Sequence, residues 1–231
     1  MHTDTPGVDA TDATSPVLQL TDLVLGDAPE AWAAAGFEPD DRGRLLLGST
    51  WVRCTGSGGG FQGWAFDGPS SARHDIDGLA SVEPVSAGSQ TATHPDGTTR
   101  PNGVSSIDHV VVRSGNCERT VAAFVDAGFE VRGGRSTTSY GSPMRQTFFW
   151  AGDVILELVG PDEGEPVTDE PTSIFGLALV ATDLAATATA LGDLLGAPKD
   201  AVQPGRQIAG LRNRVVGIAL PIAVMSPHVR P

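Results

Sequence analysis

Ser105–Val131, SSIDHVVVRSGNCERTVAAFVDAGFEV, and Arg145–Pro161, RQTFFWAGDVILELVGP, are the two pieces of this chain whose reading decides the fold. The first opens on a β-branched run broken by one histidine. It continues through a stretch with a helix start at Ser114 or Asn116 and a stop at Gly128, with Val121, Phe124 and Val125 as the inward stripe. The second piece holds two apolar runs, the last of which carries one glutamate. The order is strand, helix, strand, strand, strand, with Gly133–Pro143 read as a loop. His109 falls inside the first strand and Glu157 inside the last, each among Val, Ile and Leu. Burying either group without a partner is costly, so the pair is expected to look into a common cleft.

Working outward, the chain has 231 residues and can bury roughly 70% of its unfolded surface, enough for a core without staples. It carries 15 Lys and Arg against 28 Asp and Glu, a formal charge of -13. That balance argues against a nucleic-acid backbone or an anionic membrane as partner. Two cysteines, Cys54 and Cys117, make no disulfide framework and no zinc spacing. With no apolar run long enough to span a bilayer and no secretory leader, a cytoplasmic protein is expected.

Residues 1–15, rich in Thr, Asp and Pro, read as a disordered tail. Residues 16–68 repeat the central stretch in abbreviated form. AGFE at Ala35–Glu38 recurs at Ala127–Glu130, and LLLGSTWVRCTG parallels FFWAGDVILELVG. In that alignment Asp22 takes the place of His109 and Arg53 that of Glu157, a combination suited to an ion pair and not to a metal. Asp27 is the expected cap of the short helix that follows the first strand, and GFQGWAFDG is a further strand. Residues 69–104, rich in Ser, Gly, Thr and Pro, read as a linker or, less simply, a lid that brings His74 and His94 toward the cleft. An acidic stretch, PDEGEPVTDEPT, then leads to a third module over 173–227, whose helix is capped by Thr182 or Asp183. There Gly176 stands where His109 stands and Ala223 where Glu157 stands.

The pattern IDHVVV, a helix ending in AGFEV, and a closing ILELVGP resembles one module of the vicinal oxygen chelate superfamily. That group includes glyoxalase I, extradiol dioxygenases, methylmalonyl-CoA epimerase and bleomycin-binding resistance proteins. The resemblance implies an α+β fold of tandem βαβββ modules whose curved mixed sheets enclose a cleft. A glyoxalase-like domain over 105–231 would hold two modules, 105–161 and 173–227, after the abbreviated first one. It also implies that a histidine from a first strand and a glutamate from a last strand hold a divalent ion, here His109 and Glu157.

With Gly176 and Ala223 supplying no donors, an iron, manganese, zinc or nickel ion would need a third ligand from His74, His94, His228 or a linker carboxylate. The expected cleft therefore works without a metal. Glu157 then serves as base and His109 as its partner. Tyr140, Arg145, Phe149, Arg206 and Arg212 are the residues expected to hold a ligand. The function expected is binding of, or action on, a small oxygen-containing organic molecule, as a lyase, isomerase or dioxygenase. The alternative is a non-catalytic binding or sequestering protein, and either form could be a homodimer.

Overall fold

The computed structural model describes residues 18–68, 74–85, 100–138 and 143–228. The tail read over 1–15 lies outside them, as do His94 and Tyr140. The large sheet is built from two βαβββ units. The first comprises β5 (Val104–Arg113), α2 (Cys117–Asp126), β6 (Val131–Thr137), β7 (Met144–Ala151) and β8 (Val154–Pro161). The second comprises β9 (Ser173–Ala181), α3 (Leu184–Leu191), β10 (Lys199–Asp200), β11 (Gln207–Gly210) and β12 (Ile222–Met225), with the short helix α4 (Asn213–Val216) before its last strand. In each unit the first strand runs parallel to the last, β5 with β8 and β9 with β12. The units join edge to edge through antiparallel β5 and β9, giving the order β10-β11-β12-β9-β5-β8-β7-β6. With two mixed sheets and few helices, the class is α+β.

The N-terminal residues form a separate sheet from β1 (Gln19–Leu25), β2 (Arg44–Leu47), β3 (Thr50–Cys54) and β4 (Phe61–Asp67), with α1 (Pro29–Ala34) after β1. Its order is β2-β3-β1-β4. Strand β1 is parallel to β3 and antiparallel to β4, so β4 stands against β1 as β9 stands against β5. The GFQGWAFDG strand therefore occupies the place of a second unit's opening strand, and the first unit has one strand fewer than the others.

Helix α2 lies between the two sheets because its buried side holds Cys117, Thr120 and Phe124; Val125, expected inward, is 50% exposed. Phe124 stacks on Phe149 of β7 at 4.8 Å and meets Trp64 of β4 edge-on at 6.0 Å. An aromatic column thus runs from the small sheet through the helix into the large one. Asn116 caps α2, its Oδ1 accepting from the Arg119 N–H at 3.1 Å, and Gly128 at φ +99° ends it. Asp183 caps α3 in the same way. Asp27 does not cap α1. Its buried carboxylate accepts from Trp32 Nε1 and from the Ala219 N–H, tying the small sheet to the last strand's approach.

Two stretches expected as loops are structured. Within the Gly133–Pro143 stretch, residues 133–137 continue the expected second strand as the edge strand β6 (Val131–Thr137), exposed along nearly its whole length. A Cβ at Gly134 would come within 2.9 Å of the Gln146 carbonyl, so glycine there permits the close pairing with β7. Within the 69–104 connection, Ile76 and Leu79 are buried and bridge each other, and residues 80–82 bond to Trp64 of β4. Asp77, at φ +49°, accepts from Arg119, Thr120 and Thr172, which pins this stretch to α2 and to the start of β9. Burial works to raise the Asp77 pKa, but those hydrogen bonds and the Arg119 charge prevail and hold it below the ordinary range. No helix among the described residues is long and apolar enough to cross a membrane.

Candidate functional site

The uncovered face of the large sheet carries a cleft of about 480 Å³. Its floor comes from β5, β7 and β8 and its far wall from β9, β11 and β12. In the parallel ladder His109 pairs with Ile155 and Val111 with Glu157. Glu157 therefore sits one rung beyond His109 on the same face, and its Oε2 lies 3.4 Å from His109 Nε2. On the neighbouring strand Gln146 is diagonal to Glu157 and donates from Nε2 to Oε1. Arg135 of β6 donates in turn to Gln146 Oε1, its guanidinium 5.8 Å above the Phe148 ring. Four strands thus contribute to one polar line, Arg135, Gln146, Glu157 and His109.

The line continues behind His109 because β5 is irregular there. Ile107 pairs with Leu179 and His109 with Ala178, leaving Asp108 as an extra residue in a bulge. The bulge breaks strict alternation and lets neighbouring side chains meet, so Asp108 Oδ2 accepts from His109 Nδ1 at 2.8 Å. Asp108 Oδ1 accepts from Arg206 Nη2 at 2.7 Å, with His228 Nε2 at 3.3 Å, and both Asp108 and Arg206 are only 2% exposed at the side chain. Burial acts to raise the Asp108 pKa. The hydrogen bonds and charges of His109 and Arg206 outweigh it and hold the carboxyl far below the usual range. An ionised Asp108 keeps the Nδ1 proton in place, which aims Nε2 at Glu157 and the cleft.

Among the described residues the opposite wall offers no such groups. Gly176, Ala178 and Ala223 line the same cleft as His109 and Glu157, with Leu177, Ile208 and Ile222 beside them. A Cβ at Gly176 would meet the Pro221 carbonyl at 2.6 Å, so the backbone itself closes that position. A catalytic divalent ion needs at least three protein ligands. Among the described residues no group of three His, Cys, Asp or Glu gathers, and Asp108 is committed to Arg206. The described residues do not fit such an ion.

The small sheet presents the same positions with different contents. Asp22 pairs with Trp51, and Arg53, two residues on, forms an ion pair with Asp22 at 3.2 Å. The Val85 N–H and the Glu83 carbonyl close over this pair. Burial raises the Asp22 pKa against the opposing pull of Thr21 and Arg53.

The other expected ligand-holding residues are scattered. Phe149 is fully buried on the helix side of the sheet, and Arg145 lies on that side too, close enough to Cys117 to act on its thiol. Arg206 is buried behind the site, where it also donates to the Ser226 carbonyl. Arg212 is exposed at the start of α4, and neither it nor His74 lines the cleft. Gln146 and Asp108, which bond to Glu157 and His109, are the positions of the candidate site that sequence reasoning passed over. For Asp108 the signal was present, since Asp-His in succession breaks an otherwise apolar run.

Paired βαβββ units joined through their first strands, with a cleft on one face, define the vicinal oxygen chelate fold. The chain superposes on a variant of 4-hydroxymandelate synthase from Streptomyces coelicolor with a TM-score of 0.63 at 16% identity, covering 94% of each chain. It is also similar to a catechol 2,3-dioxygenase, with a TM-score of 0.51 at 14% identity over 94% of this chain and 97% of that one. A fusion of a xylose isomerase-like TIM barrel with 4-hydroxyphenylpyruvate dioxygenase gives 0.55 at 12% identity, over 97% of this chain and 53% of the other. At such identities the likeness extends to the fold alone. No family model and no curated sequence matches the chain.

Proposed function

We propose that the cleft takes a small oxygen-bearing organic molecule and that Glu157 and His109 move a proton on it. The observation that carries this reading is the 3.4 Å approach of His109 Nε2 to Glu157 Oε2 at the floor of a mostly apolar cleft, with Nδ1 tied to Asp108. A base whose partner is oriented by a third, buried group is the arrangement that general acid–base chemistry requires. Glu157 would take a proton from carbon next to a carbonyl, and the imidazole would hold or return it at the oxygen. Gln146 fixes the Glu157 carboxylate so that Oε2 faces His109.

The test is exchange of carbon-bound hydrogen in deuterated water, followed by NMR over a panel of small ketones and keto acids. The wild-type protein is expected to exchange at least one of them, and Glu157→Gln to slow it by about a hundredfold. Unchanged exchange in that variant removes Glu157 from the reaction. Saturable binding without exchange favours the sequestering alternative, which the committed state of Asp108 and Arg206 does not require. Light scattering on the purified protein would test the homodimer that belongs to the same reading.

A further inference from the structure

The cleft does not end at Glu157. A second hollow of about 330 Å³ opens where β5 and β8 finish and β7 begins, and Arg113 and Met144 line both. Arg113 is the arginine common to the two linings. It lies two residues past Val111, the rung that faces Glu157, which places its Cα about 7 Å along the strand from the reacting level. The outer wall of the second hollow is the stretch after β8, including Glu165, Thr168 and Glu170, held to the end of β5 by the Thr168 N–H on the Gly115 carbonyl at 2.9 Å.

Arg113 meets Glu170 loosely, at 3.8 Å from Nη2 to Oε2, with the two side chains 62% and 66% exposed. An exposed pair at that separation contributes little, whereas a bidentate carboxylate held against a partly desolvated guanidinium is among the stronger polar contacts. We propose that Arg113 is the anion subsite of this cleft: the ligand carries a carboxylate that displaces Glu170 from Arg113 while its oxygen-bearing carbon lies over Glu157. The substrate class is then a small oxo acid with a few bonds between its two functional groups. Glu170 is a specificity residue, since any neutral ligand leaves it in place, and Glu165 on the same wall opposes entry of anions not matched to Arg113. This inference rests on the cleft being the ligand site, as proposed above, and adds the chemistry of its far end.

The probes are levulinate and its ethyl ester, with inorganic phosphate as a third arm, in binding titrations followed by NMR. Levulinate is expected to bind about tenfold more tightly than the ester. Arg113→Gln weakens levulinate down to the level of the ester, and Glu170→Gln tightens levulinate a few-fold more than it does the ester. Equal effects of Arg113→Gln on acid and ester, or no Arg113-dependent binding of levulinate, overturn the subsite. Phosphate outcompeting levulinate at Arg113 overturns the carboxylate assignment and makes the site a phosphate one. Exchange of the ester by wild type without preference for the acid sinks the subsite and spares the proton-transfer reading. Arg113-dependent acid binding with no exchange at all does the reverse.

Discussion

Asp108→Asn is the perturbation with the most to say. The substitution keeps the shape of the side chain and removes its charge, leaving the Arg206 guanidinium, 2% exposed, with the Ser226 carbonyl and a neutral amide. Breaking a buried ion pair by neutralising one partner costs about 3–5 kcal/mol, and the retained hydrogen-bond acceptor puts the figure near the lower end. For a chain of this size that is a fall in Tm of roughly 6–12 °C. The pH dependence follows from the direction of the shift. The folded Asp108 pKa lies below the ordinary value of 3.8, so the stabilisation is fully present above that value. It is lost as pH falls through the folded pKa. Denaturant titrations from neutral to strongly acid pH should therefore show a constant gap between wild type and variant that narrows in acid below the usual carboxylate range. A gap under about 1 kcal/mol at neutral pH, or one indifferent to acid, would refute the reasoning. Arg206→Met in both backgrounds completes the cycle and should return a coupling of about 2 kcal/mol or more.

Phe149→Ala should cost about 3–5 kcal/mol in denaturant unfolding, through loss of the stack on Phe124, while levulinate binding stays unchanged because the ring faces away from the cleft. Asp77→Ala leaves Arg119, Thr120 and Thr172 without their shared acceptor and should destabilise the protein by about 2–4 kcal/mol. Limited proteolysis should then cut within residues 74–85, and an uncut variant would contradict the pinning role. Ala223→Glu adds a carboxylate to the wall opposite His109 and Glu157 and should raise cobalt(II) affinity by about tenfold, seen in the visible spectrum. That gain should vanish when Glu157→Gln is added, and no gain over the parent would show that the two walls are too far apart to share an ion.

Much of this was legible in residues with strong patterns. The run IDHVVV and the run VILELV gave the positions of His109 and Glu157, and their internal repeats placed Asp22, Arg53, Gly176 and Ala223 at matching levels of the other ladders. What escaped was set by contacts distant in sequence. The fate of Arg206 depends on Asp108, 98 residues earlier, and no local pattern distinguishes a buried arginine from a solvated one. Phe148 and Phe149 are consecutive, so one of them had to face the core, but alternation alone does not say which. The continuation of β6 past Arg132 was hidden by its glycines, since an exposed edge strand has no apolar face to announce it. The pairing of β4 with β1, in place of an extension beside β2, is a matter of topology that short strands of similar composition do not encode.

One geometric offset occurs three times in this molecule. A residue on an opening strand and a residue one rung further along its parallel neighbour hold an imidazole and a carboxylate, a carboxylate and a guanidinium, or a bare glycine and a methyl group. The ladder is indifferent to which it carries, because each pair projects from a backbone already satisfied by its own strand hydrogen bonds. The sockets are not equally open, though: two of them accept side chains of opposite charge on an unchanged ladder, while the third is sealed by the Pro221 carbonyl, which would have to move before Gly176 could carry any side chain.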